Sequence, residues 1–450
     1  MSKSSTWTRD AASAVPSSRI GRLARLGSLA SGVAGGMLAE GARQLAQGKK
    51  PRMGDLLLTP ANAQRVADQL AQLRGAAMKV GQLLSMDAGS LMPPELAEIL
   101  ARLRENARTM PMSQVVEVLE THWGKGWEKH FSRFSFTPAA AASIGQVHRA
   151  CDKGGRELAV KIQYPGVRRS IDSDVDNVAT LLKLSGLLPK NLNVAPLLNE
   201  AKRQLHEEAD YQHEAQCLQR FRQLLDGDAD FVLPEVISVL TTADILVMSW
   251  VEGVAVESLD TTPQVVRDRI ASRLVGLFFR ELFEFRLIQT DPNFANYRYV
   301  PEHDQVVLLD FGATRVYPLD TVEAYRNLMQ AAVRGDRSAM TAAARAIGYF
   351  DEHIHDQQRD AVVDLFALAC EPLRHVGTYD FAGSDLPLRL RDAGIKLSMD
   401  RDFWHTPPAD ALFLHRKLGG LYLLAARLKA QVDVRLLAQP HLLALSMEST

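Results

Sequence analysis

An apolar run, Val306-Val307-Leu308-Leu309, ends on Asp310-Phe311-Gly312, and upstream of it stands Asp291-Pro292-Asn293-Phe294-Ala295-Asn296. A strand that delivers an acid into a glycine-containing turn is common, and alone it says little more than that. The combination restricts the chain far more: an Asp and an Asn five positions apart, a hairpin, then a strand closing on Asp-Phe-Gly. Mg²⁺ takes oxygen ligands, and Asp310 with the Asn296 side-chain carbonyl supplies two of them. Asp291 stands where a base can accept a hydroxyl proton.

This order, D-x-x-x-x-N followed by DFG, is that of protein-kinase-like phosphotransferases. Further parts should then lie upstream. Ala159-Val160-Lys161-Ile162 matches the strand whose Lys contacts the α- and β-phosphates, and its apolar neighbours mean that Lys161 needs a partner. The helical pattern from Ala195 to Leu225 carries Glu207, Glu208, Asp210 and Glu214. Glu214 is the expected ion-pair partner of Lys161; it shares a helix face with Asp210, four positions away. Glu208 and Asp210 lie about 200° apart around an ideal helix, so both can face one site only if the helix is irregular there. The phosphate-binding turn, expected at Ala140, Ala141, Ala142 and Ser143, holds alanines where glycines are usual, which stiffens it. The strand Leu246–Val251 would join two lobes, with backbone groups at Met248, Ser249 and Val251 reading adenine. After Gly312 a helical pattern from Asp320 through Val333 begins almost at once, and no A-P-E follows. A platform for a peptide substrate is therefore missing, which favours a small-molecule phosphotransferase or an ATPase.

The rest of the chain agrees with an α+β, bilobal, protein-kinase-like fold. Apolar residues make up 46% of the 450, enough for large cores and too many for general disorder. Lys and Arg total 52 against 53 for Asp and Glu, so no global charge points to nucleic acid. Cys151, Cys217 and Cys370 are odd in number and far apart, which fits a reducing compartment and no cysteine-based zinc site. Residues 62–86 show a helical period in Val66, Leu70, Leu73, Ala77, Val80 and Leu84. Pro93-Pro94 should open another helix, to Arg108, and Ser113 should cap a further one. A hairpin is expected over Ile144–Ala150 and Leu158–Ile162, and short strands at 231–239, 245–251, 297–300 and 306–309. The expected segments are a mobile tail (1–18), a basic, small-residue helix (19–50), a helical extension (51–136), a small β-rich lobe with its hinge (137–254) and a helical lobe (255–450). Trp123 and Trp127 read as core anchors, and His415-Arg416-Lys417 as the basic edge of a packing helix.

The N-terminus is basic: Arg19, Arg22 and Arg25 precede a small-residue run in which Gly27, Ser31 and Gly35 are four apart. That pattern suits a transit peptide, or a helix that binds an anionic membrane surface or pairs with a second copy. The 14 residues from Leu26 to Ala39 are too few to span a bilayer, which takes about 20.

These features together resemble the UbiB family of atypical kinases, the kinase-like proteins of ubiquinone biosynthesis that include the ADCK proteins of mitochondria. The resemblance covers roughly residues 19–430. Lys79-Val80-Gly81-Gln82 is similar to the family's KxGQ motif, Ala140–Ser143 with Gln146-Val147-His148 to its Ala-rich loop, and Glu208-Ala209-Asp210 with Tyr211 and Glu214 to its ExD helix. The resemblance implies that the KxGQ helix packs over the active site, with Lys79 paired to Glu208 or Asp210 and Gln82 on the same face. It implies ATP or ADP with Mg²⁺, ATPase activity, membrane-lipid association and support of coenzyme Q synthesis through other biosynthetic proteins or quinone precursors. It implies no phosphorylation of proteins. The location follows: the inner face of the bacterial inner membrane, or the matrix side of the mitochondrial one. The family's catalytic loop usually reads His-x-Asp-Pro-His-Pro-Gly-Asn. Here it reads Gln289-Thr290-Asp291-Pro292-Asn293-Phe294-Ala295-Asn296, so the loop's shape should differ while the metal-binding pattern survives.

Three readings remain open on sequence. The first is an Mg²⁺-dependent ATPase or small-molecule kinase using Lys161, Glu214, Asp291, Asn296 and Asp310. The second is a nucleotide-gated scaffold or lipid-binding module with negligible turnover. The third, an aminoglycoside- or choline-type kinase, does not explain Lys79–Gln82.

Overall fold

Strand and helix boundaries follow the apolar periods closely. The computed structural model describes residues 70, 73–87, 109–142, 144–184, 195–398 and 408–443. The tail and basic helix of residues 1–50, the Pro93–Arg108 helix and Ser143 lie outside the described residues. The described residues up to 83, from 109 to 212 and from 236 to 250 form one compact unit; residues 84–87, 213–235 and those from 251 onward form another.

The first unit holds helices α1 (Arg74–Asp87) and α2 (Met112–Trp123), strands β1 (Phe131–Ala141), β2 (Gly145–Asp152) and β3 (Glu157–Gln163), and helices α3 (Val167–Leu184) and α4 (Ala195–Glu208). Helix α5 (Tyr211–Leu224) and strand β4 (Phe231–Val232) lead into the second unit, and β5 (Ile245–Ser249) returns to the first. Its sheet is antiparallel throughout, in the order β1-β2-β3-β5. Residues alternate across a strand. Leu158, Val160 and Ile162 of β3 therefore share one core with Val115 and Leu119 of α2, Trp127, Phe131 and Val247. Ala159, Lys161 and Gln163 face the other way. Trp127 is a core anchor, as its size predicts. The β2–β3 turn closes at Gly155, whose φ of +84° favours glycine, and Asp152 accepts the Arg156 backbone N–H at 2.9 Å.

Three expectations need correction. Helix α2 starts at Met112 with Pro111 at its N-cap, so Ser113 sits inside the first turn and caps nothing. The alanines lie largely in a strand: Ala140 and Ala141 pair with Val147 and Gln146, and the strand ends at Ala141. An alanine side chain is small enough for either state, and here the β2 partner decides. Val167–Leu184 is a further helix after β3. The expected helix 195–225 is two helices. At the break, Tyr211 N–H donates to the Ala243 carbonyl (3.2 Å) and the Ala209 carbonyl accepts from Gln163 Nε2 (2.8 Å). Two backbone groups thus leave the helical ladder for partners on the sheet side.

The second unit adds β6 (Val254–Ala255), α6 (Gln264–Arg280), β7 (Leu287–Gln289), β8 (Tyr297–Val300), β9 (Gln305–Leu308), β10 (Thr314–Val316), α7 (Leu319–Arg334), α8 (Arg337–Ile347), α9 (Asp356–Ala369), α10 (Leu386–Ser398), α11 (Ala409–Arg427) and α12 (Val434–Leu443). One small sheet has the order β4-β9-β8-β6. A separate antiparallel pair, β7 with β10, sets Gln289 opposite Thr314. Helix α6 ends in a π-helical segment, Glu281–Phe285, that buries Glu281. No helix among the described residues is long and apolar enough to cross a membrane.

Candidate functional site

Two short ladders bring the catalytic-loop residues and the Asp-Phe-Gly segment together. Strands β7 and β10 pair, and Thr290 N–H donates to the Ala313 carbonyl (2.9 Å), so the loop after β7 lies against the turn before β10. The β8–β9 hairpin does the same from the other end: Leu309 N–H donates to the Asn296 carbonyl at 3.1 Å. Asn296 and Asp310 therefore line one cavity, with Gln289, Tyr297, Phe311 and Lys417 around it.

The loop is held group by group. Asn293 Oδ1 accepts the Ala295 N–H (3.2 Å) and caps a 3₁₀ turn that carries Asn296. Asn296 Nδ2 donates to Asp291 Oδ2 (3.2 Å), which turns the amide oxygen away from that carboxylate. Asp310 Oδ1 accepts the Gly312 N–H (3.0 Å), an Asx turn that fixes this carboxylate. Phe311 packs against Phe221 of α5, with ring centroids 4.8 Å apart and the planes tilted by 45°. Two turns earlier on α5, Glu214 is 2% exposed, and a Cβ on Gly312 would lie 3.4 Å from its Oε2.

A second set of residues, far along the chain, was read from sequence as a plain packing edge, and the structure corrects that. Helix α11 clamps the loop. Arg416 donates to Asp291 Oδ1 at 2.6 Å, and the pair is largely shielded from water. Lys417 is 2% exposed and its ammonium reaches Gln289 Oε1 (3.2 Å), Tyr297 Oη (3.2 Å) and Glu281 Oε2 (3.3 Å). Two of its N–H groups thus donate, to the Gln289 amide oxygen and the Tyr297 hydroxyl, while the Glu281 carboxylate supplies the opposite charge. Burial by itself would lower the Lys417 pKa, but Glu281 and Tyr297 outweigh it and the net shift is upward, which keeps the ammonium charged. Gln289 in turn donates to the Asp291 carbonyl at 2.9 Å. An amide offers both a donor and an acceptor, which is what a position between Lys417 and Asp291 requires. One turn further, Gly420 lies against Pro292: a Cβ there would stand 2.1 Å from Pro292 Cβ. The only sequence signal for this clamp was Arg-Lys followed by Gly-Gly on an otherwise apolar helix.

In the first unit, Lys79 of α1 is 5% exposed and forms an ion pair with Glu208 at the end of α4. Asp210, in the break, faces Arg168 instead at 3.5 Å. The two acids thus take different partners, as the irregular backbone at 209–210 allows. Gln82 lies one turn after Lys79 on α1, with its side chain outside the described residues. Lys161 is 8% exposed and its Nζ stands 5.0 Å from the centroid of the Tyr211 ring. Gly145, at the foot of the alanine turn, lets β2 approach β3: a Cβ there would meet the Ile162 carbonyl oxygen at 2.3 Å. Behind it runs a buried chain of hydrogen bonds. The Met110 N–H donates to Gln146 Oε1 (2.8 Å), Gln146 Nε2 to His148 Nε2 (2.8 Å), and His148 Nδ1 to the Ser135 carbonyl (2.8 Å). This needs neutral His148, and burial does hold its pKa below the ordinary value. Met248 and Ser249 end β5, opposite Ala159 and Leu158. The Trp250 N–H is used by the Glu157 carbonyl (2.9 Å), so it is not a group for reading a purine. Val251 belongs to the second unit.

The donor set fits Mg²⁺ with a nucleotide. Mg²⁺ keeps several waters and takes one or two protein oxygens beside substrate phosphates. One carboxylate and one amide oxygen at the edge of a small cavity meet that demand. No group of three or more His, Cys, Asp or Glu residues poised for a metal occurs among the described residues.

A catalytic loop and a DFG turn brought together in one unit, and a buried lysine in the central β3 strand of the other, are the marks of a kinase-like protein, and the family comparison agrees. Residues 102–344 match the model of the ABC1 atypical kinase-like domain, and the chain belongs to that family, known also as UbiB. It is 39% identical over 438 residues to the atypical kinase coq-8, mitochondrial, of Caenorhabditis elegans, covering 95% of this chain and 58% of that protein. With the atypical kinase COQ8, mitochondrial, of Saccharomyces cerevisiae it shares 38% identity over 422 residues, or 93% of this chain and 84% of that one. Among solved structures, a complex of Rv3197 with erythromycin from Mycobacterium tuberculosis is similar at a TM-score of 0.57 and 25% identity. That likeness covers 82% of this chain and 93% of the other.

Proposed function

We propose that this chain binds Mg-ATP or Mg-ADP and hydrolyses ATP at an anionic membrane surface, in support of ubiquinone biosynthesis. One observation carries the nucleotide reading: Asn296 and Asp310 line one cavity, and Asn296 Nδ2 donates to Asp291 Oδ2 at 3.2 Å, in kinase order. Asn296 and Asp310 would hold the metal, which supplies charge neutralisation at the β- and γ-phosphates. Asp291 would orient the attacking water or hydroxyl. Each of its carboxylate oxygens accepts one bond inside the protein and keeps a second acceptor direction. Lys161 and the turn at 140–143 would contact phosphates, Met248, Ser249 and Val251 the adenine, and Glu214 would fix the charge balance beside Gly312. Lys79, Gln82, Glu208 and Asp210 would gate access. Helix α7 begins at Leu319, with only the short strand β10 between it and the DFG turn, which supports a non-peptide acceptor. The relatives named COQ8 support the biosynthetic context and, where they are named mitochondrial, an inner-membrane location on the matrix side; in a bacterium the equivalent is the cytoplasmic face. The basic N-terminal segment would meet lipid or a second copy.

A second reading, a nucleotide-gated module with negligible turnover, is favoured by the Arg416–Asp291 pair, which commits the would-be base to a guanidinium. One experiment separates the two: Mg-ATP hydrolysis by the full chain, with and without anionic vesicles, beside Asp310→Asn. Vesicle-stimulated hydrolysis that the variant loses supports the ATPase. Nucleotide-dependent thermal stabilisation without hydrolysis supports the module. Neither response would overturn nucleotide binding itself.

A further inference from the structure

One buried ion pair holds the catalytic loop at both of its ends. Lys417 of α11 and Glu281, the first residue of the π-helical segment after α6, are 2% and 1% exposed, with Nζ and Oε2 3.3 Å apart. Segments of π-helix are rare and often stand at functional sites. The pair reaches the two residues that bracket the loop 290–296. At the entry, Lys417 Nζ donates to Gln289 Oε1 (3.2 Å), and Glu281 Oε1 accepts the Gln289 backbone N–H (3.5 Å). At the exit, Lys417 Nζ donates to Tyr297 Oη (3.2 Å). Gln289 Nε2 passes the restraint on to the Asp291 carbonyl, and Asn296 directly precedes Tyr297. The cavity that these residues line with Asp310 has room for about one water, so the two charges act on the loop and not on a nucleotide.

Stability alone does not account for such a pair. Taking two charges out of water offsets much of what their attraction returns, and apolar side chains of similar volume often fill the same space as well. Apolar side chains, however, have no donor for an amide oxygen or a hydroxyl. Gln289 shows the difference. Its oxygen must face Lys417 for its nitrogen to face Asp291, so the ammonium decides which way the amide points. We propose that Lys417 and Glu281 are positioning residues: a charged clasp that fixes the span of the catalytic loop, and with it the places of Asp291 and Asn296. The inference rests on the nucleotide-binding reading above for its effect on turnover, and on the loop geometry alone for the clasp.

The test uses the full chain with Lys417→Met and Glu281→Leu together, which removes both charges and keeps an apolar filling. Hydrogen exchange of the nucleotide-free protein is followed by mass spectrometry over residues 289–297, beside urea unfolding and the kcat and KM of Mg-ATP hydrolysis. The reporting amides are Thr290 N–H, bonded to the Ala313 carbonyl, and Asn296 N–H, bonded to the Asn293 carbonyl, each at 2.9 Å. With the urea midpoint near the parent's, exchange over 289–297 should be about tenfold faster while α7 and α8 exchange as before. The kcat should fall about tenfold or more, with KM within about twofold of the parent. Parent-like exchange over 289–297, or a rise shared equally by α7 and α8, overturns the clasp and leaves the pair a packing feature. Faster loop exchange with an unchanged kcat overturns the positioning role. Should the double variant not fold, Tyr297→Phe removes the exit bond alone. Exchange at Asn296 should then be about threefold faster, and parent-like exchange there overturns the clasp. If the parent neither binds Mg-ADP nor hydrolyses Mg-ATP, the nucleotide reading fails, and the exchange result still decides the clasp.

Discussion

Adding one methyl group at Gly420 tests the clamp directly, because the neighbouring Gly419 supplies its own control. A Cβ at 420 would lie 2.1 Å from Pro292 Cβ and 2.5 Å from its Cγ. Carbon atoms rest at about 3.5–4.0 Å, so the two groups must part by about 1.4–1.9 Å. Pro292 cannot swing aside by a rotamer change, since its ring is closed on the backbone. Helix α11 is held by Arg416 and by the buried Lys417, so the loop is the part that gives. Asp291 precedes Pro292 and would be carried with it. A displacement of about 1 Å at a reacting group costs on the order of 100-fold in rate. The stability change is smaller: overpacking costs about 1–3 kcal/mol, and exchanging a helical glycine for alanine returns about 1. A Cβ at Gly419 meets nothing within 4 Å, so Gly419→Ala should simply stabilise the helix, by about 0.5–1 kcal/mol. The assays are urea unfolding and Mg-ATP hydrolysis of both variants. Gly420→Ala should lose about 100-fold in hydrolysis with at most about 2 kcal/mol of stability, while Gly419→Ala gains stability and keeps its rate. A Gly420→Ala protein as stable and as active as Gly419→Ala would refute the clamp.

Two further outcomes follow from buried groups. Lys417→Met should cost about 3–5 kcal/mol in urea unfolding, because it strands the buried Glu281, and Lys417→Met with Glu281→Leu should recover most of it; a single variant that costs under about 1 kcal/mol would show that the pair is not coupled. His148 gives a pH dependence whose sign is set: burial lowers its pKa below the ordinary 6.5, so the unfolded chain takes up a proton before the folded one does. The neutral form's contribution is present above pH 6.5 and is lost as the pH falls below it, so the stability of the parent should decline more steeply from pH 7 to 5 than that of His148→Gln. Equal slopes in urea midpoint against pH would contradict this.

Much of the fold was legible because local patterns agree with it. The β2–β3 hairpin announced itself through the apolar run around Lys161 and the Asp-Lys-Gly-Gly turn. Strands β8 and β9 and the start of α7 fell within a residue of their expected limits. The buried positions Leu70, Leu73, Ala77 and Val80 follow the period that predicted their helix. Strand β1 was not legible: Ala140 to Ser143 read as a turn, and pairing with β2 extends Ala140 and Ala141 instead. The break between α4 and α5 left no mark either, since Glu-Ala-Asp-Tyr continues a helix as well as it ends one. Its cause is Gln163 and Ala243, which lie elsewhere in the chain.

The division has a physical reason. Sequence by itself determined which groups carry the chemistry, since an Asp, an Asn and a Lys must be present as such, and their spacing along strands and turns is local geometry. It also determined the class of fold, through periods of two and of 3.6. Tertiary structure alone decided how those groups are held. Arg416, Lys417 and Gly420 stand more than 120 positions from the loop they grip. Glu208 rather than Asp210 meets Lys79 because the helix breaks between them, and Tyr211 meets Lys161 for the same reason. Contacts of that kind depend on packing between distant elements, which no local period encodes.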